Sequence, residues 1–90
     1  MSAYVVEWRR RALADLTQIW LETADRAAVT DAVAQIDLRL HRDPAGSSTP
    51  VAEGLRKIVV PPIHAYIEIM EVRKVVLVEG VLLLLPPAQP

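Results

Sequence analysis

The apolar residues of this chain keep two different spacings, and the changeover falls at Asp43-Pro44. Upstream, Ala12, Leu13, Leu16, Ile19, Trp20 and Ala24 recur at three- and four-residue steps, and so do Val29 (or Ala28), Ala32, Val33, Ile36 and Leu40. That is the spacing of two helices, each burying one stripe. Downstream, Ile63, Ala65, Ile67 and Ile69 alternate with His64, Tyr66, Glu68 and Met70, which gives a strand with one inner face. The fold class is α+β.

Local signals set the boundaries. Tyr4 to Trp8 is β-favouring and predicts a short opening strand, ended by Arg9, Arg10 and Arg11. A helix follows from about Arg9 to Thr23, and Asp25 is placed to cap a second one. The short link between them makes an antiparallel helical hairpin. The second helix should stop at Asp43, because a residue before proline is pushed out of the α region. Gly46, Ser47, Ser48, Thr49 and Pro50 supply no helix formers, so this stretch reads as a loop and the most mobile interior segment. Strands are then expected over Leu55 to Val60, Ile63 to Glu71 and Lys74 to Leu84, as a three-stranded antiparallel meander with a tight connection near Val72 and Arg73. Val75 to Val78 and Val81 to Leu85 are apolar on both faces, which puts the last strand in a central or covered position. Pro86, Pro87 and Pro90 should end regular structure.

Ninety residues fit one domain, 1–90, and a chain that is 52% hydrophobic with 23% charged residues is expected to fold. The excess is aliphatic, since there are two Trp, two Tyr and no Phe. One sheet and one helical layer cannot hide it all, so a second copy or another protein is expected on the exposed apolar surface. With no cysteine there is no disulfide, thiolate metal site or thiol nucleophile. The N-terminal residues show no signal region and no apolar run is long enough to span a membrane, which points to the cytoplasm. A net charge of −1 argues against direct nucleic-acid binding outside a local patch.

The opening strand Tyr4-Val5-Val6-Glu7-Trp8, the helical stripe through Ala12, Leu16, Ile19 and Trp20, the run Ile36, Leu40, Pro44, and the segment Gly54-Leu55-Arg56-Lys57-Ile58 occur in an order that resembles the RelE/ParE toxin superfamily. The resemblance spans residues 4 to about 85. It implies the toxin of a type II toxin-antitoxin pair, with a cognate antitoxin as partner in a hetero-oligomer, or a homo-oligomer. RelE-like members of that superfamily resemble ribosome-dependent messenger-RNA endonucleases, and ParE-like members poison DNA gyrase by binding.

Cleaving a phosphodiester needs a base for the 2′-OH, a cation for the phosphorane and an acid for the leaving group. Arg56 stands at the Gly-x-Arg position with Lys57 beside it, and His64 and Tyr66 are the nearest proton carriers. Where the resemblance calls for His or Arg near the chain's end, the sequence reads Glu79-Gly80-Val81-Leu82-Leu83. The ParE-like branch is therefore favoured. The alternatives are a RelE-like endonuclease using Arg56 and Lys57 with an atypical acid, or a degenerate member retained for binding alone.

Each candidate also has an ordinary role. Arg56 is either a cation for a target or antitoxin carboxylate, or a residue ion-paired at a sheet edge. Lys57 should point to the opposite face. His64, Tyr66 and Glu68 read most simply as the solvated side of a strand, and His41 as a cation at a helix C-terminus. Arg9, Arg10 and Arg11, with Arg73 and Lys74, are the best basic contacts, although cations in a first helical turn oppose the macrodipole. Neither a phosphate loop nor a metal-ligand spacing is present, so no cofactor or metal is expected.

Overall fold

A computed structural model describes residues 3–84. Leu85 and the prolines at 86, 87 and 90, expected to end regular structure, lie outside the described residues. The elements run β1 (Val5–Trp8), α1 (Arg10–Glu22), α2 (Arg26–Arg42), α3 (Pro44–Ser47), β2 (Thr49–Ala52), β3 (Leu55–Val60), β4 (Ile63–Met70) and β5 (Val75–Leu83). No helix among the described residues is long and apolar enough to cross a membrane.

The expected strand, hairpin and meander are all present. Asp25 caps α2 by accepting from the Ala28 N–H at 3.0 Å, and α2 gives way at Asp43 before Pro44. The meander, however, is only part of a five-stranded sheet ordered β1-β5-β4-β3-β2. β1 pairs parallel with β5, from Val5 with Val75 to Trp8 with Val78. That pairing puts β5 between two neighbours, consistent with its apolar composition on both faces.

The stretch read as a loop carries structure of its own. Asp43 accepts from the Gly46 N–H at 3.0 Å, which closes the single turn of α3 with Pro44 at its start. β2 then pairs antiparallel with β3, with an irregularity between Pro50 and Ala52. The last strand begins one residue later than expected because Lys74 is a turn residue with φ 55°, and Gly54 takes φ 75° at the β2–β3 turn.

Both helices pack on one face of the sheet. Ala12 of α1 and Val29, Ala32, Ile36 and Leu40 of α2 are buried against Ile58, Ile63, Ala65, Ile67, Val76, Val78 and Val81. The second stripe is therefore as expected. Within the first, Ala12 alone is fully buried, Leu16 and Ile19 are partly so, and Leu13 and Trp20 stand 49% and 42% exposed. Ala24 falls beyond the end of α1.

Candidate functional site

Strand alternation sorts the candidate residues between the two faces. Arg56 pairs with Ile67, a core residue, and Lys57 with Tyr66. Arg56 is thus on the helix side and Lys57 on the open side. The Arg56 guanidinium is occupied within its own chain. Nε donates to Ser48 Oγ at 2.8 Å, and Nη2 donates to the carbonyls of Ala45 at 3.1 Å and Ser48 at 2.9 Å. Ser48 Oγ in turn donates to the Pro44 carbonyl at 2.6 Å. Arg56 braces α3 and β2 from behind, away from the open face.

The open face has Tyr66 near its centre. Lys57 lies beside it on β3, and His64 stacks on it with ring centroids 4.8 Å apart. His64 lies on the less buried face of β4, as expected, and is half-buried there, with its Nε2 buried and lacking a partner among the described residues. On the far side Tyr66 meets Gly80, and a pocket of about 230 Å³ opens there, lined by Arg11, Asp15, Tyr66, Glu79 and Leu82.

A bulge makes that pocket. Tyr66 pairs with Gly80 and Ile67 with Val78, so Glu79 is the extra residue on β5. Arg9 Nε meets the Glu79 carboxylate at 2.8 Å. Asp15 accepts from the Val81 N–H at 3.3 Å, satisfying an edge group where β1 has ended. A Cβ on Gly80 would stand 3.3 Å from that Asp15 carboxylate, so the tight fit favours glycine. Neither Asp15 nor the bulge carries a signal in the sequence.

The structure therefore brings Lys57, His64, Tyr66, Arg9 and Arg11 to one side of the molecule and leaves Arg56 out. Arg10 is exposed in the uncapped first turn of α1. Arg73 and Lys74 lie at the other end of the sheet, in the β4–β5 turn. There Lys74 Nζ sits 4.9 Å from the Tyr4 ring centroid and the Tyr4 hydroxyl donates to Glu71. The hydrogen bond to Glu71, followed by desolvation, raises the Tyr4 pKa above its ordinary value. At the C-terminal end of α2, His41 Nδ1 donates to the Tyr4 carbonyl at 2.7 Å. Among the described residues no group of His, Asp and Glu gathers to hold a metal.

A second feature is an apolar groove of about 360 Å³ between α1 and α2, lined by Leu16, Thr17, Trp20, Val29, Thr30 and Val33. The Arg26 guanidinium stacks 4.3 Å from the ring centroid of Trp20, one of the lining residues. The periodicity identifies these residues as a stripe but not as an open groove.

No family model and no curated protein matches the chain. Solved structures do. The RelBE2 toxin-antitoxin complex of Mycobacterium tuberculosis contains a chain 19% identical with a TM-score of 0.77, over 92% of this chain and 93% of that one. The chromosomal ParDE system of Pseudomonas aeruginosa gives 14% identity and a TM-score of 0.68, over 91% of this chain and 97% of that one. The isolated Escherichia coli RelE toxin gives 16% identity and a TM-score of 0.62, over 93% and 87%. The chain has the fold of the RelE and ParE toxins.

Proposed function

We propose that this protein is the toxin of a type II toxin-antitoxin pair in the cytoplasm, acting by binding its target in the ParE manner, with DNA gyrase as that target. The observation that carries the toxin role is the fold likeness, which runs over nine-tenths of the chain to proteins whose structures are named as toxins or toxin-antitoxin complexes. An antitoxin helix with one apolar face fits the groove between α1 and α2. Arg10 and Arg11 have no ion-pair partner among the described residues and would meet its carboxylates.

Action by binding is supported by where the cations lie. Arg56 is turned to the helix side, Arg9 is neutralised by Glu79, and Leu82 occupies the open face beside His64. The endonuclease reading has one observation in its favour: Tyr66 stands between Lys57 and Arg11. Inducible expression with and without a co-expressed antitoxin, followed by plasmid supercoiling and messenger-RNA integrity assays, separates the readings. Growth arrest with altered supercoiling and intact messages is expected. Cleaved messages would promote the endonuclease, and unaffected growth would leave a binding module without toxicity.

A further inference from the structure

Both helices cover one face of the sheet, and on the other face the register sorts side chains into rows across the strands. Val5, Val75 and Met70 form the first row, and Glu7, Leu77 and Glu68 the second. Past the Glu79 bulge come Gly80, Tyr66 and Lys57, then Leu82, His64 and Val59. Where β1 has ended, Arg11 stands beside Gly80 at the edge of the third row. The outer rows present apolar surface, with Val5 59%, Leu82 52% and Val59 40% exposed. The two inner rows carry opposite charge. Glu7 and Glu68 lie in one, Arg11 and Lys57 in the other, and none of the four has an ion-pair partner among the described residues.

The order apolar, acidic, basic, apolar is its own complement when reversed. Sheets packed face to face lie within about 30° of alignment, which keeps rows opposite rows. A twofold axis across the strands, between the two charged rows, sets Glu7 and Glu68 of one copy against Arg11 and Lys57 of the other. It also sets Val75 and Met70 against Leu82 and His64. A twofold axis along the strands would lay the acidic row on the acidic row, and like charges in contact oppose association. We propose that the chain, where no other protein covers this face, pairs with a second copy through the open face of its sheet in the reversed sense.

Rows about 6.8 Å apart on strands about 4.8 Å apart give this face roughly 27 by 24 Å, or about 650 Å². A stable pair buries about 800 Å² on each partner. The face therefore supports a weak, reversible dimer, with Kd at about 10–300 μM. Its charges select the orientation more than they add affinity. Pairing covers Tyr66 and the pocket beside it, so a second copy and a target held there exclude each other. The pairing holds whether or not the chain is toxic.

The test is sedimentation of the full chain from about 10 μM to about 1 mM, across which a monomer–dimer equilibrium is expected. Glu68→Lys meets Lys57 of the other copy twice in each pair, and Lys57→Glu meets Glu68 twice. Each variant alone should pair at least about tenfold more weakly. Mixed in equal amounts, the two restore both contacts and should pair within about threefold of the parent. Leu82→Asp, at an exposed position, should abolish pairing while the urea midpoint is kept. A chain that stays monomeric at about 1 mM would overturn the proposal. So would a dimer indifferent to Leu82→Asp, or charge variants whose mixture pairs no better than either alone; both would place the contact on another surface, such as the groove between α1 and α2. If a charge variant does not fold, amide shifts of the ¹⁵N-labelled parent on dilution decide: they should centre on Leu77, Tyr66 and Gly80, and shifts confined to the helices would refute the pairing.

Discussion

Replacing Arg56 by Ala removes three hydrogen bonds at once, to Ser48 Oγ and to the carbonyls of Ala45 and Ser48. Hydrogen bonds from a charged donor each contribute about 1.5–3 kcal/mol. These three share one guanidinium that is half-exposed, so water recovers part of the loss, most of all at the carbonyl of exposed Ala45, whereas Ser48 is buried. The expected cost is about 2 kcal/mol. A domain of 90 residues has roughly 5–13 kcal/mol to lose, and the change should lower Tm by roughly 8–16 °C. Arg56→Lys should lose most of the same stability, because one ammonium on a flexible stem cannot span Ser48 and Ala45 together. Urea unfolding followed by circular dichroism measures both variants, with the m-value expected to hold. An Arg56→Ala chain within about 0.5 kcal/mol of the parent would refute the bracing role. Loss of growth inhibition at unchanged stability would return Arg56 to the list of target contacts.

Three further outcomes follow from the same coordinates. Asp15→Ala leaves the Val81 N–H without its acceptor and should cost about 1 kcal/mol, with faster exchange at that amide, whereas Asp15→Asn keeps an acceptor and should cost less; equal effects of the two would refute the assignment. Ile36→Ala empties a fully buried site against the sheet and should cost about 2–5 kcal/mol in urea unfolding, so a loss under 1 kcal/mol, less than about a third of that range's middle, would mean that the helix layer is not packed as described. Ultraviolet titration should find Tyr4 above the ordinary tyrosine value, and Glu71→Gln should bring it down. Because the folded pKa is the higher one, this contribution to stability is fully present below the unfolded pKa, near 10, and is lost as pH rises through the folded value.

Elements announced by local chemistry were legible in the sequence, and those held by distant partners were not. Asp25, Pro44 and the alternation from Ile63 onward act within a few residues, and they marked α2 and β4 to within about a residue. α3 is closed locally by Asp43 and Pro44, but its seat and that of β2 are also held by Arg56 reaching back to Ala45 and Ser48. Nothing within that stretch foretells the contact. The parallel pairing of β1 with β5 joins residues seventy apart, Val5 and Val75. Leu13 and Trp20 keep helical spacing yet face outward, since α1 lies along β5 with only Ala12 driven into the core. At the site, alternation correctly separated Arg56 from Lys57, but the arrival of Arg11 beside Tyr66 requires the Glu79 bulge and the end of β1 at Trp8.

That bulge also sets the electrostatics of the open face. Arg9 and Arg11 approach Tyr66 in company with Glu79 and Asp15, so the two cations arrive with two carboxylates. Arg9 is paired with Glu79, while Lys57 and Arg11 are the cations beside Tyr66 without an ion-pair partner among the described residues. A phosphorane gains most from several donors held where charge develops, in a site that excludes water. Here the position past Gly80 is Leu82, 52% exposed, and His64 is stacked on Tyr66 with its Nε2 buried. The open face is thus apolar at its Leu82 and Val59 end and nearly charge-balanced at its centre, which suits contact with another protein more than stabilisation of a reacting phosphate.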